Sequence, residues 1–317
     1  MSDFLDDREF LESAVSTLSA HAATHAPKAV LSMLRLAVRF PSLPPDHWRE
    51  AWRAAGLEDL PRAVGLIAES VSLPEGIKFG TPDDAVRLAS RGLLPLAYPA
   101  FHAWVQTAGF EGVVLAYRTR AAVEPGYLGH GFSVWCSFLE LAALLERHAE
   151  LIPWATERFC EFVSRMFPGY PPEDPSWRLP DPGSLPEITR EELMSAALSR
   201  PGFFGHPFLS LAALVRHGER LTREEWRAQA WAQLQATTRR FPDSTDHERL
   251  PIRFQGPDTM EEMVIALSLG ERNDVHNLTL ADALCTLWNY FPGADTRARL
   301  LAIGAHYARA PETRPPA

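Results

Sequence analysis

The sequence predicts an all-α protein built as a large multi-helix bundle. Apolar residues recur at the i, i+3, i+4, i+7 spacing of an amphipathic helix along most of the 317 residues, whereas the alternating pattern of a β-strand is scarce. Helix-start signals accompany this spacing. Thr81 stands before a proline, and Thr189 and Thr222 each have a glutamate three residues later, which is the capping-box pattern.

Two helices are predicted at the start of the chain. The first runs from about Asp7 to Ala26 and is ended by Pro27, because proline lacks the N–H group that a helix interior needs. Pro27 can itself be the first residue of a second helix, which the Phe40-Pro41 pair stops. Further helices are predicted over 83–92, 96–108, 131–149, 152–167, 190–199, 207–218, 223–238, 259–269, 278–290 and 295–308.

The segment 168–186 interrupts the helical pattern. It holds seven prolines together with Gly169 and Gly183, so we predict an extended crossover or a lid there. Such a long connection is often functional, although a surface crossover between helical layers is the simpler interpretation. The chain is therefore predicted to be a single domain over 1–317, or two helical halves, 1–167 and 187–317, joined by this linker.

Composition excludes several classes of protein. The formal net charge is −9, and lysine occurs only at Lys28 and Lys78, which argues against nucleic acid as a partner. Three widely spaced cysteines without a CxxC pair indicate neither a disulfide framework nor a thiolate zinc site. The first ten residues are acidic, unlike a secretory leader, and no apolar run approaches the roughly 18 residues of a membrane span. We expect a cytoplasmic protein without a membrane segment.

Histidines embedded in apolar helical segments are the candidates for chemistry. His21 and His25 have the i, i+4 spacing by which one helix offers two imidazoles to a metal. A buried imidazole needs a hydrogen-bond partner or a metal, so each histidine could also be a satisfied core residue. As a set they could converge, and neutral imidazoles with few carboxylates suit iron, copper or zinc. The further candidates are His102, His130, His206 and His276.

Aromatic residues lie close in sequence to two of these histidines. Phe101 and Trp104 flank His102, and Trp135 follows His130. Their flat side chains would form walls suited to a planar aromatic substrate, while ordinary core packing is the alternative interpretation.

Four of the histidine segments resemble one family of enzymes. The stretches 24–36, 100–108, 205–214 and 274–279 are similar, in the same order, to segments of the questin oxidase-like proteins. The first of them reads THAPKAVLSMLRL here and resembles the NHLPMAL segment of that family. Two positions depart from the family's pattern, since its lysine three residues after the last histidine is Thr279 here and its asparagine before the first is Thr24.

The resemblance implies a helical oxidase that cleaves polycyclic quinones such as anthraquinones, in Baeyer–Villiger-like or dioxygenase-like reactions. It also implies that four histidines bind a non-haem iron, with dioxygen as co-substrate: His25, His102, His206 and His276. In this hypothesis His21 and His130 are substitute ligands or proton-transfer groups, and Phe101, Trp104 and Trp135 line the substrate pocket.

Two other hypotheses fit the same residues. In a metal-free cyclase or isomerase the histidines would act as acid and base near neutral pH. In a non-catalytic helical partner of a biosynthetic enzyme they would merely satisfy buried polar groups.

Overall fold

The fold is all-α, as predicted. A computed structural model describes residues 7–17, 22–72, 81–124, 129–168, 181–238, 257–270 and 275–308. Within these ranges the secondary structure is helical apart from one isolated antiparallel bridge between Thr17 and Arg62. Across the same ranges, none of the helices combines the length and the apolar character needed to span a bilayer.

Most of the predicted helices are confirmed to within a few residues. Helix α6 runs past its predicted end at 108, but Gly109 has left-handed φ and interrupts it there. Helices α3, α4 and α7 are not among the predicted segments. The helices are α1 Asp7–Ser16, α2 Ala22–Arg39, α3 Pro45–Ala54, α4 Ile67–Ser70, α5 Pro82–Ser90, α6 Leu94–Ala116, α7 Arg118–Val123, α8 His130–Leu145, α9 Ile152–Met166, α10 Arg190–Ser199, α11 His206–His217, α12 Arg223–Thr238, α13 Met260–Leu269, α14 Val275–Tyr290 and α15 Ala294–Ala308.

The boundary between the first two helices differs from the prediction. Helix α1 ends at Ser16 and α2 already begins at Ala22, so Pro27 lies inside α2 and does not start it. A proline removes one hydrogen bond, to the carbonyl four residues earlier. Here that bond would go to the carbonyl of residue 23, so α2 lacks one hydrogen bond in its second turn.

The predicted caps are present. The Thr81 hydroxyl accepts a hydrogen bond at the start of α5, and Thr189 and Glu192 form a reciprocal capping box on α10. Thr222 and Glu225 make the same pair of bonds before α12, at 2.9 and 3.2 Å. Each cap satisfies backbone N–H groups that the helix itself leaves unpaired.

The predicted crossover over 168–186 lies largely outside the described residues. Of its described part, Pro182–Ser184 forms a short 3₁₀ turn. Helices from both predicted halves are in contact, since α14 packs against α2 and α11 packs against α8.

Helices α2, α8, α11 and α14 form a closed ring at the centre of the fold, each packed against the next. Side chains that meet between α2 and α8 are 105 residues apart at both Lys28–Ser133 and Arg35–Glu140. Between α2 and α14 the separation is 250 residues at two pairs, 32 with 282 and 39 with 289. A constant separation means that two helices run in the same direction. Between α8 and α11 it is 76 at His130–His206 and 77 at Glu140–His217, so all four helices are parallel and have their N-termini at one end.

Candidate metal centre

Four buried histidines meet where the parallel helices begin. They are the fourth residue of α2, the first residues of α8 and α11 and the second residue of α14: His25, His130, His206 and His276. Each is at most 5% exposed. Their ring centroids lie 4.9, 4.8, 5.1 and 4.5 Å apart around the ring of helices. We call these four residues the histidine tier.

The spacing of the imidazole nitrogens suits a shared metal ion. The Nε2 atoms of His130 and His206 are 3.3 Å apart. Two nitrogens bound to one ion at 2.0–2.1 Å, at angles between octahedral and tetrahedral, are about 3 Å apart. His25, His130 and His276 each place a ligand atom within 4.8 Å of the other two. His206 is not part of that mutually close set, and its Nε2 approaches the Nε2 of His130.

The protonation of His206 can be assigned from its neighbours. Its Nδ1 faces the carbonyl oxygen of Phe203, which can only accept a hydrogen bond, so Nδ1 carries the proton. Burial, followed by His130 and His276, lowers the pKa of His206 well below its usual value, so the ring is neutral at pH 7. A neutral ring protonated at Nδ1 directs the lone pair of Nε2 into the tier, as a metal ligand must.

The electrostatic field of the tier also favours neutral imidazoles. Four helix N-termini point at it, and each contributes roughly half a positive charge, which disfavours imidazolium. Among the described residues no carboxylate joins the ligand cluster. A metal held there would have neutral nitrogen ligands, a donor set that suits iron, copper, nickel or zinc and not magnesium or calcium.

One helical turn further along the bundle lies a buried amine. Lys28 is 6% exposed, and its Nζ donates a hydrogen bond to the Ser133 hydroxyl at 3.3 Å. Burial is the chief cause that lowers the pKa of Lys28 to about 8. Thr279, where the resemblance expects a lysine, lines the same cavity as Lys28. An amine is therefore present at this level of the bundle, on α2 and not on α14.

A narrow polar cavity extends from Lys28 along the bundle axis, with a volume of about 30 Å³. Further along, Arg35 is paired with both Asp282, at 2.6 Å, and Glu140. Arg216 of α11 also pairs with Asp282, at 2.7 Å. The side chains of Arg35 and Glu140 are 30% and 25% exposed, so these ion pairs lie between the cavity and solvent.

The structure does not bring His102 into the histidine tier. It is the ninth residue of α6, and its Nε2 lies 3.7 Å from the Oε1 of Glu157 on α9. The Glu157 carboxylate is fully buried and also accepts the N–H of Ala68 at 2.8 Å. His102 borders a separate, open cavity of about 400 Å³ next to α4. His21 lies outside the described residues.

The three predicted pocket aromatics lie in the hydrophobic core. Phe101 and Trp104 pack around Tyr117, and Trp135 donates its indole N–H to the Val114 carbonyl at 2.7 Å. Phe101, Trp104 and Trp135 do not line the cavity next to Lys28.

Two other aromatic residues touch the tier, and sequence reasoning missed them. Phe203 stacks on His206 with ring centroids 5.9 Å apart, and Phe204 stacks on His276 at 4.7 Å. Both are partly exposed. Phe204 has a φ of 47°, a left-handed conformation that is strained for an aromatic residue. Strain of this kind tends to occur at functional sites, and the Phe-Phe-Gly-His order is the signal that could have indicated it.

Comparison of the chain with known protein families, with curated proteins and with solved structures gives no match. Functional inference for this chain therefore depends on the chemistry of the histidine tier.

Proposed function

We propose that the chain is a metal-dependent oxidoreductase of the oxygenase type, whose metal ion is bound by the histidine tier. The observation that carries this proposal is the convergence of four buried imidazoles from four different helices. Relative to the ligand set of the resemblance, His130 takes the place of His102. Four core histidines that only needed hydrogen bonds would not have to share one location, whereas ligands of one ion must.

Iron with dioxygen is the metal chemistry that we propose. Four neutral imidazoles suit Fe(II) and leave positions of a six-coordinate ion free for small molecules. The electrons for oxygen reduction would come from the organic substrate.

A planar aromatic or polyketide-like molecule is the substrate class that we propose. Phe203 and Phe204 support it, because partly exposed rings stacked on the histidines offer a flat surface beside the metal. The cavity at Lys28 is far too small for such a molecule, so the substrate would approach the tier from the side of these phenylalanines.

Metal uptake tests the proposal directly. Metal-free protein is titrated anaerobically with Co(II), whose visible spectrum reports nitrogen ligation, and with Fe(II). We expect one equivalent to bind, and we expect His276→Gln to weaken binding by on the order of 100-fold because a ligand is lost. His102→Gln is the matched control and should bind like the wild type. Uptake of less than about a tenth of an equivalent by the wild type would refute the metal centre.

An open coordination position is tested separately with nitric oxide, a stable analogue of dioxygen. Binding to the Fe(II) protein should produce the electron paramagnetic resonance signal of a high-spin iron–nitrosyl. A protein that binds iron but gives no such signal would have a closed, structural site, and the oxygenase proposal would be wrong even though the metal site stands.

The metal-free cyclase or isomerase is a second candidate because the Nε2 atoms of His130 and His206 already lie at hydrogen-bond distance without an ion. It requires turnover that neither chelators nor removal of oxygen affects. A non-catalytic partner protein requires neither metal uptake nor turnover.

A further inference from the structure

The charges that line the cavity do not balance. Two carboxylates, Glu140 and Asp282, face three cationic side chains, Lys28, Arg35 and Arg216, and the imidazole of His217 also contacts Glu140 at 2.6 Å. Both carboxylates are bound to the arginines. Within the part of the chain that the structure describes, no ion pair reaches the Lys28 amine, and its hydrogen bond goes to the neutral hydroxyl of Ser133.

A buried ammonium group without a counter-charge is unfavourable, since buried charges in proteins are normally paired. The parallel bundle increases this effect, because the N-termini of four helices lie one turn away from Lys28 and add positive potential. The same arrangement attracts an anion, because helix N-termini and an ammonium group both favour negative charge.

The cavity offers such an anion both space and a route. Its volume of about 30 Å³ fits an anion of one to three atoms and excludes larger ones. Lys28 at its inner end supplies N–H donors, whereas the Ser133 hydroxyl accepts one of them and donates its own proton to the Gly129 carbonyl at 3.3 Å. Arg35 and Arg216 border the outer part, where the side chain of Arg35 is 30% exposed.

We propose that this cavity is a binding site for a small monovalent anion of the size of chloride, azide or formate, held by the ammonium group of Lys28. The site deepens the proposed metal centre, because an anion there offsets the charge of an ion in the histidine tier. It does not require the metal, so the two proposals can fail separately.

Calorimetric titration of metal-free protein with sodium formate, at constant ionic strength, tests the anion site. We expect one formate per chain, no binding of the larger benzoate anion, and at least a tenfold loss of formate affinity in Lys28→Met. Arg91→Met, which removes an exposed cation elsewhere, should bind formate like the wild type. Equal formate affinity in Lys28→Met and the wild type would overturn the proposal, as would the absence of chloride, azide and formate binding at about 0.1 M.

A measurement on the unmutated side chain covers the case that Lys28→Met does not fold. Because the chain contains two lysines, Lys28 and Lys78, ¹³Cε-lysine labelling gives two side-chain signals, and Lys78→Arg assigns them. Formate should shift the Lys28 signal and leave that of Lys78 in place; the reverse pattern, or no shift, overturns the anion site.

Co(II) uptake by the same samples separates the two proposals. Formate binding at Lys28 without metal uptake refutes the metal centre and supports the anion site. Metal uptake without formate binding refutes the anion site and supports the metal centre.

Discussion

Replacing Lys28 with methionine should stabilise the metal-free protein at neutral pH in a buffer poor in small anions. Burial lowers the pKa of Lys28 from 10.5 to about 8, so the folded state binds this proton less tightly than the unfolded chain. Each factor of ten in proton affinity is worth about 1.4 kcal/mol, so the charged amine destabilises the fold by about 3 kcal/mol. Methionine keeps most of the side-chain volume and removes the charge.

Part of the stabilisation expected for Lys28→Met is offset by a lost hydrogen bond. The hydrogen bond from Lys28 to Ser133 is lost, which costs roughly 1 kcal/mol. We therefore expect a net stabilisation of about 2 kcal/mol at pH 7.

The pH dependence provides the sharper measurement. Below pH 8 the unfavourable contribution of Lys28 is fully present, and it fades as the pH rises from about 8 toward 10.5, where the unfolded chain also loses its proton. The charged and titratable groups that act on Lys28 do not reverse this trend, because burial is the largest cause. They are Arg35 on α2, Cys136 and Glu140 on α8, His206, Arg216 and His217 on α11 and Asp282 on α14.

Urea denaturation of both proteins at pH 7 and pH 9.5 tests this reasoning. The advantage of Lys28→Met should shrink by about 2 kcal/mol between the two pH values, while Arg91→Met should show no such dependence. Formate added at pH 7 should reduce the advantage as well, because it stabilises the wild type alone. A variant that is less stable than the wild type at pH 7, or a difference that is the same at both pH values, would show that the amine is already compensated.

Two further substitutions test the parallel bundle. Gly205→Ala should destabilise the protein by about 2 kcal/mol in urea denaturation, because φ is +68° and a Cβ atom would lie 2.7 Å from Leu280. Gly92 has a similar φ of +69°, but a Cβ atom there would meet open space, so Gly92→Ala should cost about half as much stability. Equal losses of stability in the two variants would contradict the close approach of α11 and α14. Asp282→Asn removes the carboxylate that Arg35 and Arg216 share and should lower the free energy of unfolding by about 3 kcal/mol. A loss below about 1 kcal/mol would mean that solvent screens these ion pairs.

The helices could be predicted because their signals are local. Periodic apolar residues define each segment, and threonine–glutamate pairs such as Thr189 and Glu192 define where some of them begin. The early start of α2 differs from the prediction because proline is typical of a helix boundary, whereas Pro27 lies in the second turn of this helix.

The candidate site could be predicted in part. His25, His206 and His276 were in the predicted ligand set and lie together in the structure. His102 is in the predicted ligand set and His130 is not, because the family resemblance covers the segment around His102. Periodicity does not separate them, since both lie in apolar helical segments and periodicity does not say at which end of a bundle a residue lies. The position within the helix distinguishes them, since His102 is in the middle of α6 and His130 is the first residue of α8.

A stripe of polar residues was the second available signal. On α2 and α8 the histidine is followed at i+3, i+7 and i+10 by polar side chains that face the same cavity: Lys28, Ser32 and Arg35 on the one, Ser133, Ser137 and Glu140 on the other. This is the spacing of one helix face, and a polar face on an otherwise apolar helix indicates a buried polar axis.

The sequence by itself determined the helical class, most helix limits and the presence of histidines in segments that must be buried. These follow from the spacing of residues that are close in the sequence, which does not depend on how distant parts of the chain pack. The tertiary structure alone decided that four helices run parallel, so that their N-termini, their histidines and one lysine meet at one end. Those contacts join residues separated by 70 to 250 positions, and such separations depend on how the whole chain packs and not on any local pattern.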